Sequence, residues 1–178
     1  MCSSLSSIVL LDLITSISKD LFYGCYGLRN VHLPCSITRI GDYAFYHCSG
    51  LSTIHLSDSI IALGHYAFAK CIRLSTVHLP DSITDKGDNT FEVCQMMSSI
   101  QLPEKLTSID NGTFAGCTRL TAINLPDSIT NVGTYAFYQC SNLKNINLSN
   151  SITSIGKFAF TRCISLECIR LPNLLDKI

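Results

Sequence analysis

The sequence predicts an α/β repeat solenoid, with one short parallel strand and one short helical turn in each 23-residue coil. The first observation behind this prediction is an unbroken interval of 23 residues, as from Cys25 to Cys48. A unit of this length cannot bury its apolar side alone and must stack on its neighbours. The second observation is that three apolar columns keep this interval without insertion or deletion. They are Phe22, Phe45, Phe68, Phe91, Phe114, Phe137 and Phe160; Cys25, Cys48, Cys71, Cys94, Cys117, Cys140 and Cys163; and Leu33, Leu56, Leu79, Leu102, Leu125, Leu148 and Leu171.

The strand of each coil is predicted from a two-residue alternation. In the coil at 28–48, residues 30–33 alternate polar and apolar side chains, as a half-buried strand does. Pro34 ends the strand because it has no N–H to donate. Equivalent strands are expected around each apolar position from Val31 to Ile169, and residues 8–10 add an eighth.

The rest of the coil is predicted to be a bend followed by a helical turn. Ser36 recurs in four other coils, where its hydroxyl can bond to nearby backbone groups. Ile37 and Ile40 are expected to point inward, and Gly41 to supply a turn. Residues 42–48 are then predicted to form a short helical turn, whose core-facing residues are Ala44, Phe45 and Cys48.

Charge and hydropathy argue against two classes of partner. Thirteen basic and thirteen acidic residues give a formal net charge of zero, with no charged block. Phosphate neutralisation needs concentrated Lys and Arg, so no nucleic-acid partner is expected. No apolar run reaches the roughly 20 residues of a membrane-spanning helix, so no membrane insertion is expected. The apolar segment at 8–14 lacks preceding basic residues and a cleavage site, and is predicted to be the first repeat rather than a signal peptide.

Eight of the ten cysteines share one repeat column, counting Cys2, and only Cys35 and Cys168 stand off it. A repeated column indicates packing, because a free cysteine behaves as a small hydrophobe. Neighbouring coils would place the Cα atoms near the disulfide window of about 4.4–6.8 Å, so distance alone does not forbid bridges. Because disulfide pairing between neighbouring coils would make otherwise identical coils unequal, we expect reduced thiols.

The unit L-x-x-[IV]-x-L-P-x-S-I-T-x-I-G-x-x-A-F-x-x-C resembles the leucine-rich repeat of the BspA-like surface antigens. Residues 125–130 carry the Leu-Pro-x-Ser-Ile-Thr bend, and residues 136–140 carry the Ala-Phe-x-x-Cys turn. The resemblance covers essentially the whole chain. It implies surface exposure and protein binding or adhesion, although the matching residues are scaffold positions.

We expect residues 1–178 to form a single leucine-rich-repeat domain of about seven to eight coils. Solenoids need polar caps over their end coils, and neither end shows one. The chain begins partway through a turn and stops at Ile178, an inward position. Either it is a fragment of a longer array, or its ends are covered by self-association.

The repeat departs from its pattern near the middle of the chain. Lys86 stands in an otherwise apolar inward column, Thr90 and Thr113 replace Ala, Met97 replaces Leu, and Asp110 replaces Gly. One interpretation is drift, with the Lys86 ammonium snorkelling out past the coil edge. The other is a distorted coil that makes a local binding notch.

An outward column on the strands supplies the candidate binding residues, since its members are polar and one coil apart. They are His32, His55, His78, Gln101, Asn124, Asn147 and Arg170. Three adjacent histidines could face one metal ion or form a pH-sensitive patch. No carboxylate or Cys completes a metal site on the column, and a straight row is poor tetrahedral geometry. A polar strip for protein or glycan contact is therefore favoured, and no metal or other cofactor is expected.

A second column is acidic and follows the strands. Its members are Asp12, Asp58, Asp81, Glu104 and Asp127. Such a row could bind calcium, but each coil offers one carboxylate and no calcium loop, so a solubilising rim is the favoured interpretation.

The sequence contains no phosphate loop, H-E-x-x-H or G-x-S-x-G motif, and no enzyme activity is predicted. We expect a non-enzymatic module that binds a protein or glycan through its sheet face. The resemblance implies a cell-surface or secreted protein used in attachment or host interaction. The alternative is a cytoplasmic scaffold in a reducing compartment, which the thiol column and the lack of a recognisable signal peptide favour.

Overall fold

The computed structural model describes residue 2 and residues 4–172, which form a solenoid of short parallel strands. Most coils contribute two strands. The first set comprises β1 (Ser7–Val9), β3 (Asn30–His32), β5 (Thr53–His55), β7 (Thr76–His78), β10 (Ala122–Asn124) and β12 (Asn145–Asn147). The second set comprises β2 (Ser16–Ile17), β4 (Arg39–Ile40), β6 (Ala62–Leu63), β8 (Asp85–Lys86), β9 (Ser108–Ile109), β11 (Asn131–Val132) and β13 (Ser154–Ile155).

The strands pair in parallel with a register of one coil, which confirms the predicted architecture. Asn30 pairs with Ser7, for example, and Ala62 with Arg39. The first set forms the pairs β1–β3, β5–β7 and β10–β12, and the second forms the sheets β2–β4–β6–β8 and β9–β11–β13. The second strand of each coil was not predicted. The strands predicted around Ile100 and Ile169 do not form, and only an isolated bridge joins Gln101 to His78.

The predicted helical turn was wrong, because the described residues contain no helix. Alternate amides of this segment donate to the next coil instead of to their own. Phe45 N–H donates to Ala67 O at 2.8 Å, and the N–H groups of Tyr43 and His47 reach the next coil in the same way. The amides between them close tight turns, as Cys48 N–H does on Phe45 O at 3.1 Å. The segment is thus a series of turns that also forms a ladder between coils.

Left-handed residues produce this geometry. Tyr43 and His47 have φ values of 54° and 57°, and both positions repeat in every regular coil. A left-handed residue every fourth position interrupts the α conformation and costs about 1–2 kcal/mol where a side chain is present. The inter-coil hydrogen bonds, at about 0.5–1.5 kcal/mol each, offset that cost. The equivalent residues are Asp20, Gly24, Tyr66, Lys70, Asn89, Val93, Gly112, Gly116, Tyr135, Gln139, Phe158 and Arg162.

The core contains the predicted apolar columns. The phenylalanines stack along the axis, with ring centroids from 5.1 Å apart (Phe22–Phe45) to 6.0 Å apart (Phe91–Phe114). Cysteines of the predicted column are buried from Cys25 onward, whereas Cys2 is exposed. Each thiol from Cys48 to Cys163 donates to the carbonyl of a phenylalanine in the preceding coil, at 3.1–3.3 Å. The thiols are therefore hydrogen-bonded components of the core.

Burial keeps these thiols protonated. Loss of hydration raises the pKa of Cys48 and of Cys117 to about 12, and that of Cys163 to about 11. The pKa values of Cys71, Cys94 and Cys140 rise for the same reason. In the unfolded chain the same thiols ionise near pH 8.5, as free cysteine does at about that value.

The raised thiol pKa values predict alkaline unfolding. Between about pH 8.5 and pH 12 the unfolded chain binds fewer protons than the folded one, so stability is complete below this window and is lost as pH rises through it. Each thiol contributes up to about 1.4 kcal/mol per pH unit. Chemical denaturation followed by circular dichroism measures the slope. Cys71→Ala with Cys94→Ala should reduce it, whereas Cys35→Ala with Cys168→Ala, both exposed, should not. Equal slopes in the two double variants would contradict the thiol origin.

Lys86 does not snorkel outward as the drift interpretation supposed. Its side chain is fully buried, and Nζ lies 2.7 Å from Asp110 Oδ2. Nζ also donates to Thr113 Oγ1 at 3.1 Å, and Ser108 Oγ donates to Asp110 Oδ1 at 2.7 Å. Burial lowers the pKa of Lys86, and the attraction of Asp110 opposes that shift only in part. Three of the departures from the repeat therefore form one polar cluster, in which Lys86 is compensated by Asp110 and Thr113.

Asp110 also explains why the second sheet ends between β8 and β9. Its column is glycine in every other coil from Gly41 to Gly156, because coils approach closely there. A Cβ on Gly41 would lie 2.7 Å from Lys19 N, and one on Gly133 would lie 2.6 Å from Asn111 N. Asp110 carries a Cβ, so its coil cannot approach the preceding one as closely. The Lys86–Asp110 ion pair bridges the gap that the missing strand pairing leaves.

A double-variant cycle tests this compensation. Asp110→Gly alone should destabilise the fold by on the order of 3 kcal/mol, because it leaves the buried ammonium of Lys86 without its carboxylate. Adding Lys86→Ile restores the residues of the regular coils, and the pair should be at least as stable as the wild type. Urea denaturation measures the free energy of unfolding of Asp110→Gly, of Lys86→Ile and of the double variant. Additive effects of the two substitutions would contradict the coupling.

Candidate binding surface

The predicted polar column is exposed along its whole length. His32, His55 and His78 are the last residues of β3, β5 and β7, and Asn124 and Asn147 are those of β10 and β12. Gln101 joins the row through its bridge to His78, whereas Arg170 lies outside the strands. The structure therefore places six of the seven predicted residues in a strand or at a bridge on one side of the strands.

The pairing register fixes the spacing of this row. His55 pairs with His78 and Asn124 with Asn147, so each step between hydrogen-bonded neighbours is about 4.8 Å. The column two residues earlier is exposed too, and its side chains are small or uncharged. Its members are Asn30, Thr53, Thr76, Ser99, Ala122, Asn145 and Cys168. A partner could therefore approach the backbone closely over much of this surface.

The described residues do not form a metal-binding cluster at either the histidine row or the acidic row. No three His, Cys, Asp or Glu side chains in this part of the chain come together around a point that a metal ion could occupy. The polar row offers one histidine per coil, and the acidic row offers one carboxylate per coil. These rows are arranged for contacts spread along the axis.

The first set of strands is interrupted between β3 and β5 and again at the coil 99–121. Residues 99–101 form no strand pairing with β10, and Thr121 N–H reaches Ser98 O only at 3.5 Å. The same coil lacks the pairing of β9 with β8. Its turn remains bonded on both sides, as Phe91 N–H to Thr113 O at 3.1 Å and Phe114 N–H to Ala136 O at 2.8 Å show. This coil is thus joined firmly on the turn side and weakly on the strand side.

A missing serine contributes to the weak join. In most coils the bend serine donates to the preceding coil, as Ser82 Oγ does to Ile60 O and Ser128 Oγ does to Leu106 O, both at 2.6 Å. Lys105 occupies this position in the coil 99–121. Its ammonium cannot replace a hydroxyl held against the backbone, so the carbonyl of Ile83 loses that donor.

Three adjoining depressions follow the polar column, and neighbouring depressions share lining residues. They have volumes of about 420, 250 and 550 Å³, and the largest lies at the strand interruption of the coil 99–121. Together they form what we call the acidic groove. One row of its side chains is His55, His78, Gln101 and Asn124, and the other is Asp58, Asp81, Glu104 and Asp127.

The acidic row carries free negative charge. Asp58, Asp81, Glu104 and Asp127 are exposed, and none of them forms an ion pair or a side-chain hydrogen bond in the described part of the chain. Sequence reasoning treated this row and the polar row separately and missed the groove. The signal was present, because each acidic residue follows a polar one by three positions in four successive coils.

Restoring the serine should tighten the coil 99–121. Lys105→Ser supplies a hydroxyl that can donate to Ile83 O, and we expect a gain in stability of about 1 kcal/mol. Ser82→Ala is the matched control, since it removes the same bond from a regular coil and should cost a similar amount. Thermal unfolding measures the stability of both variants. A Lys105→Ser variant as stable as the wild type would refute this role of the serine.

Comparison with known proteins places these features in context. The family model described as "BspA type Leucine rich repeat region", in six copies, matches residues 1–118 and 87–178. A leucine-rich repeat protein from Bacteroides ovatus is 27% identical, with a TM-score of 0.92 over 96% of this chain and 44% of its own. The chain therefore spans less than half the length of that protein. Among curated proteins, none matches.

Two more distant solved structures share the fold. A leucine rich cell surface protein from Faecalibacterium prausnitzii is 24% identical, with a TM-score of 0.56 over 93% of this chain and 59% of its own. The pneumococcal vaccine antigen PcpA is 22% identical, with a TM-score of 0.61 over 96% of this chain and 51% of its own. Within the residues that the structure describes, no helix has the length and apolar character needed to cross a membrane.

Proposed function

Since the chain belongs to the BspA-type leucine-rich repeat family, we propose that it is a non-enzymatic binding module at a cell surface, with a protein or glycan as its partner. The observation that carries this proposal is the exposed, uncharged polar surface along the first set of strands. Its in-register side chains offer repeated hydrogen-bond donors and acceptors. Residues His32 to Asn147 span five coil steps, or about 24 Å, which suits an interface of standard size.

The surface location rests on relatives. Of two proteins with this fold, one is a cell surface protein and the other a vaccine antigen. Attachment to a host or to another cell is the role that such a location favours.

A cytoplasmic scaffold is the second candidate, and the unbridged thiols favour it. All ten cysteines are unbridged, and Cys2, Cys35 and Cys168 are exposed. Exposed thiols persist most readily in a reducing compartment. Biotinylation of intact and of permeabilised source cells separates the two candidates, because labelling only after permeabilisation would exclude the surface role.

Blocking the strand surface should weaken partner binding. Thr53→Arg with Thr76→Arg places long charged side chains in the column two residues before the polar column. The double variant should bind the partner about tenfold more weakly or worse. Thr84→Arg with Thr161→Arg adds the same charge at exposed threonines away from that column and should bind as the wild type does. Biolayer interferometry against a glycan panel and extracellular matrix proteins measures both. Equal binding by the two double variants would move the site off the strand surface.

A further inference from the structure

We propose that the acidic groove binds an extended, lysine- or arginine-bearing segment of a protein partner, held in a polyproline II conformation. This inference rests on the proposed function and assigns a chemical class to its partner. The groove, defined by the rows His55, His78, Gln101, Asn124 and Asp58, Asp81, Glu104, Asp127, runs along the axis over four successive coils.

Charge complementarity selects a cationic occupant. The four carboxylates of the groove have no ion-pair partner among the described residues, although the chain as a whole is neutral. Lys105 is the one basic residue within the four coil bends, and it is exposed beside Glu104 with no ion pair to it. Like charges repeated at short spacing repel one another, and a row of bound cations would relieve that repulsion.

The facing row is suited to a polypeptide backbone. Gln101 and Asn124 present amide groups, and His55 and His78 present imidazoles, at one side chain per coil. A polyproline II segment makes no internal hydrogen bonds, so its carbonyl groups remain free to accept from these donors. The groove thus offers one row to the backbone of an extended segment and another to its basic side chains.

The axial spacing favours polyproline II over a β-strand. Two coils advance about 9.6 Å along the axis. A polyproline II segment returns the same face every three residues, or about 9.3 Å. A β-strand returns it every two residues, or about 6.6–6.8 Å, which matches neither one coil nor two. Basic residues at every third position would therefore meet Asp58 and Glu104, or Asp81 and Asp127.

The largest depression provides an anchor. It lies at the strand interruption, where Ser99, Gln101 and Asn124 accompany Glu104 and Asp127 around about 550 Å³. A guanidinium or ammonium group could enter between the two carboxylates there and also reach amide oxygens. The other two depressions of the groove enclose about 420 and 250 Å³, so this one offers the most room.

The probe is a fluorescein-labelled peptide of four Lys-Pro-Pro units, and fluorescence polarisation at low and at physiological salt measures its binding. We expect saturable binding that weakens as salt rises, because the pairs are solvent-exposed. A peptide with the same composition but its lysines adjoining should bind at least about threefold more weakly, since its charges miss the spacing. A Glu-Pro-Pro peptide should not bind.

The groove variant is Asp81→Asn, Glu104→Gln and Asp127→Asn, and it should bind the Lys-Pro-Pro peptide about tenfold more weakly or worse. Its matched control is Asp20→Asn, Asp85→Asn and Glu167→Gln, which changes the net charge equally at exposed positions outside the groove. The control should retain most of the binding. Equal losses in the two triple variants would show attraction by net charge alone and overturn the proposal.

Three further results would overturn it. They are no binding to the wild type, equal binding of the Glu-Pro-Pro or adjoining-lysine peptide, and binding of a chitosan oligomer without binding of the peptide. All three need only the wild-type protein, so the test does not depend on a variant that folds. If one of these results is found while the Thr53→Arg, Thr76→Arg variant loses matrix or glycan binding, this inference fails and the proposed function stands.

Discussion

The hydrogen-bond ladder between successive turns is the interaction on which the rest of this structure depends. It runs without a break through the described coils, including the coil 99–121, where β9 lacks a pairing with β8 and residues 99–101 lack a pairing with β10. Because alternate amides of each turn donate to the next coil, the phenylalanine rings stack and their carbonyls lie within reach of the cysteine thiols. Left-handed residues such as Tyr43 are tolerated because they direct the backbone into this ladder.

The irregular coil shows how a repeat accommodates polar residues. Asp110 brings a Cβ into a column where coils nearly touch, and Lys86 fills the resulting gap with a paired charge. Removal of the bend serine at Lys105 loosens the same coil at another point. The strand side opens there, and the largest depression of the groove occupies the opening. The largest part of the acidic groove therefore lies where the coil departs from the repeat pattern.

The sequence predicted what depends on a single coil and its exact repetition. Alternation at residues 30–33 predicted the strand, and Ile37, Phe45 and Cys48 were placed correctly in the core. The turn was misjudged because the spacing of Ala44, Phe45 and Cys48 suits a helix and a series of turns equally well, and side chains such as Tyr43 do not signal a positive φ. Lys86 was misjudged because its partners, Asp110 and Thr113, lie one coil away. The acidic groove was not predicted, because recognising it requires the polar column and the acidic column to be considered together.

The loose attachment of the coil 99–121 has a consequence for cooperativity. In a repeat protein, stability is a sum of terms within coils and coupling terms between neighbours. The coupling here passes mainly through the turns, since neither strand set crosses this coil intact. We therefore expect the coils before and after it to behave as two foldons, and the strand-side amides between them to exchange with solvent by subglobal opening before the whole chain unfolds.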